Sequence, residues 1–384
     1  MTIHVSSDQY QTLRQDYLQK TRRVVVKVGS AVLTDASGLN QAILEQLANS
    51  LCFLKDSGRE VILVSSGAVA AGRRRLGLTR RDISLKEKQA AAAVGQSSLM
   101  RTYEDIFDHL GQKVAQLLLT HDDLSHRQRY INVRNTLFTL LNWGIIPIIN
   151  ENDTVSVQEL RFGDNDTLAA MITNLTEADL LICLTDVDGL YTGNPAGDST
   201  VQLLRNVAKV DAKIEEMAGN VGSTLGTGGM RSKILAARSV TTRGVCALIG
   251  SGRDPQIIQK LFSGESVGTF FLPQPERMHS RQHWIAFTLR PKGFLILDAG
   301  ACSALLKLGK SLLPSGIREV RGSFGVGAAV HCLDESGKPV AAGLVNYKSV
   351  DIENIRGRKT FEIEDILGFK DSDEVIHRDN LVIL

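Results

Sequence analysis

What most constrains this chain is a series of short runs in which nearly every residue is apolar. Arg22–Gly29 reads RRVVVKVG, Glu60–Ser65 EVILVS, Ile145–Asn150 IIPIIN and Asp179–Thr185 DLLICLT. Lys113–Thr120 and Val245–Ile249 have the same character. Runs of this length, rich in β-branched residues, read as strands. Strands apolar on both faces need cover on both faces. Between them apolar residues recur at helical spacing over Leu39–Leu54, Leu85–Leu110, Tyr130–Trp143, Asp166–Leu175 and Met230–Thr242. This alternation predicts an α/β fold, a three-layer αβα sandwich around a mostly parallel sheet. In such sheets ligands bind at the carboxyl ends of the strands.

The pattern changes near residue 275. Leu272-Pro273-Gln274-Pro275-Glu276 reads as a linker, and from Trp284 the apolar segments become short and punctuated. We expect an N-terminal extension over 1–20, a catalytic domain over 21–272, a linker over 273–283 and a small β-rich domain with a tail over 284–384. One helix is expected in that last part, near Ala301–Lys307. The region holds 13 basic and 13 acidic residues, and the whole chain, with Lys+Arg 44 and Asp+Glu 42, carries only +2. No excess of positive charge advertises nucleic acid or an anionic membrane. Arg73-Arg74-Arg75 with Arg80-Arg81 is the densest basic stretch, read as a solvated loop or subunit contact. No apolar stretch is long enough to span a bilayer. Met1–Lys20 is polar and carries Asp8 and Asp16, unlike a signal or transit peptide. The five scattered cysteines contain no CxxC. Together these features predict a cytoplasmic protein.

Several familiar sites are missing. The Gly309-Lys310-Ser311 triplet has Ala304 where a phosphate-binding P-loop needs its first glycine. There is no HExxH and no GxSxG, and His279 and His283 fall in the linker. What remains is a set of polar turns, each directly after a buried strand. Lys27 interrupts an apolar strand, where it either turns out towards an anion or sits solvated at an edge. Ser65-Ser66-Gly67 precedes a helix, either as a ligand turn or as an ordinary cap. Asn150-Glu151-Asn152-Asp153 and Asp164-Asn165-Asp166 gather acids and amides suited to an ammonium-bearing substrate or a metal–phosphate complex. Thr185-Asp186 ends another strand. Gly226-Thr227-Gly228-Gly229 opens a helix with Lys233 in its first turn, a combination that favours polyphosphate. Two lysines, open N–H donors and a carboxylate cluster are the equipment of phosphoryl transfer.

Taken in order, VVVKVGSAVLT, LVSSGAVAAG, IIPIINENDTV, FGDNDTLAA, LTDVDGLYTGNP and GTGGMRSK make residues 20–265 similar to the amino acid kinase family, and most similar to its glutamate-phosphorylating branch. The tail from Trp284 resembles a PUA domain. The resemblance implies that ATP, carrying Mg²⁺, phosphorylates the side-chain carboxylate of L-glutamate, the first step of proline biosynthesis. It implies that Lys27 and Lys233 touch the moving phosphoryl group and that Asp166 orients them. Ser66, Asp153 and Asn165, helped by Asp164, would bind glutamate. Thr185, Asp186 and the loop Thr227, Gly228, Gly229, Met230, Arg231, Ser232 and Lys233 would bind the nucleotide. No metal bound by side chains alone is implied. A homo-oligomer, inhibition by proline and hand-off to a downstream glutamyl-phosphate reductase are further implications.

Two other readings compete. Kinases of the same fold act on acetylglutamate, aspartate, carbamate or a nucleotide. The acidic cluster favours a substrate with an ammonium group, which an N-acetylated one lacks. An RNA-binding or RNA-modifying protein, suggested by the tail, is disfavoured by the tail's balanced charge.

Overall fold

The computed structural model describes residues 7–35, 38–78, 83–155, 164–193, 200–219, 229–274 and 280–384. The chain divides into two compact units, Met1–Arg277 and Met278–Leu384.

The first unit is built on eight strands: β1 (Arg23–Val28), β2 (Glu60–Ser65), β3 (Val114–Leu119), β4 (Ile146–Glu151), β5 (Leu180–Thr185), β6 (Asn206–Val207), β7 (Cys246–Ser251) and β8 (Thr269–Phe271). Their order across the sheet is β3-β4-β2-β1-β5-β7-β8-β6. All neighbours are parallel except β7 and β8. Alternation along a strand sends successive side chains to opposite faces. Val24, Val26 and Val28 of β1 enter one core with the helix Gln41–Asp56, and Val25 enters the other with the helices Asp164–Leu175 and Met230–Thr241. The sheet is therefore covered on both faces, as the continuous apolar runs require. Each fully buried valine or leucine contributes about 1.5–3 kcal/mol.

The edge strand departs from the expectation of burial on both sides. In β3 only Leu119 is buried, while Gln116 and Leu118 are exposed. Its neighbour β4 covers one hydrogen-bonding edge, and the other is left open among the described residues. The polyarginine stretch also differs. Arg73, Arg74 and Arg75 form the last turn of the helix Ala68–Arg75 rather than a loop, and Arg80 and Arg81 lie outside the described residues. That helix presses on the helix Leu85–His109 so closely that a Cβ on Gly72 would lie 1.7 Å from the Ala91 carbonyl oxygen. Residues 7–20 form a helix whose Arg14 is fully buried, its guanidinium 5.1 Å from the centre of the Phe270 ring.

The second unit holds five strands, β9 (Gly293–Leu297), β10 (Ile317–Arg321), β11 (Ala329–Leu333), β12 (Pro339–Leu344) and β13 (Leu381–Ile383), in the order β10-β9-β11-β12-β13. Besides the expected helix, Ala299–Leu308, its described residues include the short helices Ser349–Ile355, Ile363–Leu367 and Ser280–His283. Ile352 and Ile355, one turn apart, anchor the first of these in the core. Of the expected linker, 275–279 lie outside the described residues, including His279. His283 is buried, its ring 4.8 Å from that of Phe287. No helix among the described residues is long and apolar enough to cross a membrane.

Candidate active site

Lys27 lies on the Val25 side of β1, because it is two residues further along. That is the face covered by the helices Asp164–Leu175 and Met230–Thr241, which pack against each other. Asp166 projects from the first turn of one and Lys233 from the first turn of the other. The result is a buried triple. Lys27 Nζ lies 2.6 Å from Asp166 Oδ1, and Lys233 Nζ lies 3.3 Å from Oδ2. Ser232 Oγ donates to the same Oδ2 at 2.6 Å. All three charged residues are less than 5% exposed. Burial alone would raise the Asp166 carboxyl. Lys27, then Lys233, with hydrogen bonds from Lys27 and Ser232, outweigh it and hold the carboxyl below its ordinary range. The neighbouring thiol, Cys183 in β5, is pushed up to about 12 by burial and stays neutral.

Beside this triple, at the ends of β2 and β4, is a chain of amides and hydroxyls. Asn165, next to Asp166 on the helix, donates through Nδ2 to Ser66 Oγ at 3.0 Å and to Asn150 Oδ1 at 3.0 Å. The backbone N–H of Glu151 donates to Asn150 Oδ1 at 2.9 Å and to Asn165 Oδ1 at 3.2 Å. Asn150 Nδ2 donates to Gln96 Oε1 at 2.9 Å. Gly67 has a φ of 107°, a left-handed conformation that favours glycine and lets the helix Ala68–Arg75 begin directly after Ser66. Asp153 follows in the next turn. Burial raises its carboxyl from 3.8 to about 6. The side chain of Asp164 lies outside the described residues.

On the other flank, Thr185 ends β5 and donates to Asp186 Oδ1 at 3.0 Å. Thr185 is buried and Asp186 exposed. Gly229 precedes the helix Met230–Thr241 and, as glycine, supplies no side-chain cap to the first-turn N–H groups. Met230 is buried and Arg231 exposed, while Thr227 and Gly228 lie outside the described residues.

The model of the amino acid kinase family matches residues 22–249. This chain belongs to the amino acid kinase family. A PUA domain model matches residues 293–367. Curated relatives extend over nearly the whole length. A protein of Desulfotalea psychrophila named glutamate 5-kinase is 58% identical over 373 residues, covering 97% of this chain and 99% of that one. One of the same name from Geobacter strain M21 is 52% identical over 97% of this chain and all of its own length. A third, from Moorella thermoacetica, is 49% identical over 96% of this chain and 97% of its own. The UMP kinase of Bacillus anthracis covers 66% of this chain and 96% of its own at a TM-score of 0.46 and 16% identity, too distant to bear on the substrate.

Within this amino acid kinase, the structure joins Lys27, Asp166, Ser232 and Lys233 into one cluster, and Ser66 and Asn165 into a second. Sequence reasoning passed over Gln96 and Tyr103 altogether, and it took Asn150 only as one member of the acid and amide cluster suited to an ammonium-bearing substrate or a metal–phosphate complex. No sequence signal marks Gln96, because a polar residue in the Ala-rich helix Leu85–His109 reads as solvent-facing.

Proposed function

We propose that this chain transfers the γ-phosphoryl group of ATP to the side-chain carboxylate of L-glutamate, giving ADP and L-glutamyl 5-phosphate, the entry step of proline biosynthesis. The observation that carries this reading is the pair of lysine nitrogens held on opposite oxygens of Asp166, beside the amide chain, in a chain whose near-full-length relatives bear the name glutamate 5-kinase.

A carboxylate oxygen of glutamate forms the new bond to phosphorus while the bond to the β,γ-bridging oxygen breaks and ADP departs. The nucleophile has a pKa of about 4.3 and is already ionised at neutral pH, so the step needs no general base. The obstacle is repulsion between two anions. Lys27 and Lys233 neutralise the phosphoryl oxygens and stabilise the charge spread over them in the transition state. Asp166 keeps the two ammonium groups converged. Ser232 spends its proton on Asp166, which makes it a support of the lysines as well as a member of the nucleotide loop. Thr185, Asp186 and the segment 227–233 hold the nucleotide. Mg²⁺ would be carried by the nucleotide phosphates and would add to the neutralisation of their charge. Among the described residues no group of three or more His, Cys, Asp or Glu could hold it alone.

Ser66 and Asn165 take the glutamate, Asp153 takes its ammonium group, and Asp164 helps to hold the substrate. Asp153 binds that cation only when ionised. Its raised value means that it is largely protonated below about pH 6 and charged above. The KM for glutamate is therefore expected to fall as pH rises through about 6, and Asp153→Asn to remove that dependence. Asp153→Ala is expected to raise the KM for glutamate about tenfold or more, the loss of one charge-assisted contact, with the KM for ATP little changed. A change confined to the KM for ATP would contradict the assignment.

The product is a mixed anhydride that water hydrolyses, so a reductase consuming it at once fits its chemistry. Five free cysteines fit a reducing, cytoplasmic setting. Feedback by proline and homo-oligomerisation complete the reading. The deciding assay is ADP release from ATP with a panel of acceptors: L-glutamate, N-acetylglutamate, aspartate, carbamate and UMP. Turnover is expected with L-glutamate, and preference for any other acceptor would overturn the proposal.

A further inference from the structure

We infer that Gln96 is a positioning residue for the glutamate pocket, acting through Asn150 to set the polarity of the chain that ends at Ser66. The inference rests on the function proposed above.

Residues seven apart lie on one face of a helix. Gln96 and Tyr103 therefore share a face of Leu85–His109, and both reach the strand ends that flank the pocket. Tyr103 shares a 2.8 Å hydrogen bond with Ser65 Oγ, and Gln96 accepts from Asn150 at 2.9 Å. The helix has no freedom to drift from these partners. A Cβ on Gly95 would lie 1.8 Å from the Ala68 carbonyl oxygen, so the two helix backbones are in direct contact two residues beyond Ser66.

A side-chain amide has an acceptor end and a donor end, and its value as a ligand depends on which way it faces. Two groups fix Asn150. The Glu151 N–H claims its oxygen, and the Gln96 carbonyl claims its nitrogen. Turning Asn150 over would set oxygen against oxygen at Gln96, and donor against donor at Glu151 and Asn165. With Asn150 fixed, Asn165 turns its nitrogen towards Asn150 Oδ1 and Ser66 Oγ. The Ser66 oxygen then accepts, and among the described residues its own proton has no acceptor. A substrate carboxylate can accept it. Gln96, together with the Glu151 N–H that donates to both Asn150 Oδ1 and Asn165 Oδ1, thus supports from three hydrogen bonds away the arrangement in which Ser66 presents a donor.

Gln96→Ala tests this without threatening the helix, since alanine is the best helix former and four alanines already precede it in the sequence. Gln96→Met repeats the test with the side-chain volume kept. Both are expected to raise the KM for glutamate about tenfold, with the KM for ATP within about twofold of the parent chain. Asn150→Ala is expected to do the same. The double variant Gln96→Ala/Asn150→Ala should be no worse than Asn150→Ala alone, because the two residues act in series. A glutamate KM in both Gln96 variants that matches the parent overturns the inference, and so does a double variant whose loss is the product of the two single losses. A parent chain without glutamate-dependent turnover overturns the proposed function and this inference together. A parent that turns over normally beside unaffected Gln96 variants overturns this inference alone.

Discussion

Replacing Lys27 or Lys233 by alanine is expected to lower kcat by about a hundredfold or more, which corresponds to losing roughly 2.7 kcal/mol of transition-state stabilisation. Each nitrogen sits on Asp166 in the resting chain, and on the proposed reading each has further N–H donors for a phosphoryl oxygen whose charge grows as the reaction proceeds. The loss should fall on kcat more than on the KM for either substrate, because the contact strengthens between ground state and transition state. Either single variant leaves one lysine paired with Asp166, so folding should survive. Steady-state kinetics beside a thermal melt separates the two effects. A kcat within threefold of the parent in either variant would remove that lysine from the mechanism.

Asp166→Ala is expected to damage both stability and catalysis. It leaves two ammonium groups facing each other in a buried site without their shared carboxylate. Breaking a buried ion pair by removing one partner costs about 3–5 kcal/mol. In a unit of this size that corresponds to a fall in Tm of roughly 10 °C, and kcat should drop at least as far as in the lysine variants. The pH sense follows from the carboxyl being held below its ordinary range. Its contribution is complete above the ordinary carboxylate pKa of about 4 and disappears as pH falls through the depressed value. The parent should therefore lose Tm towards acid more steeply than Asp166→Ala. A variant that melts within 2 °C or so of the parent would mean that the lysines do not depend on Asp166.

The sheet was legible because parallel strands buried on both faces have no alternative but continuous apolar runs. Lys27 was legible for the complementary reason: a lysine within such a run needs a partner. Which partner was not legible, since Asp166 reaches Lys27 only once the sheet has brought two distant segments side by side. The edge position of β3 was hidden for the same reason. Strand order is a long-range property, and Val114–Leu119 differs little in composition from the strands at the centre. Gln96 was hidden by its surroundings. In an alanine-rich helix a polar residue reads as solvent-facing, and only the backbone contact at Gly95 turns it towards Asn150. The helix Ser349–Ile355 is two turns long and offers too few periodic positions to stand out.

The most direct test is a crystal structure of the chain with MgADP, aluminium fluoride as the mimic of the phosphoryl group in flight, and L-glutamate. Both lysine nitrogens are expected within hydrogen-bonding distance, about 3 Å, of the fluoride ligands, with the glutamate side-chain carboxylate in line on the opposite side from ADP. A complex in which Lys27 or Lys233 stays on Asp166 and makes no contact with the mimic would contradict the account.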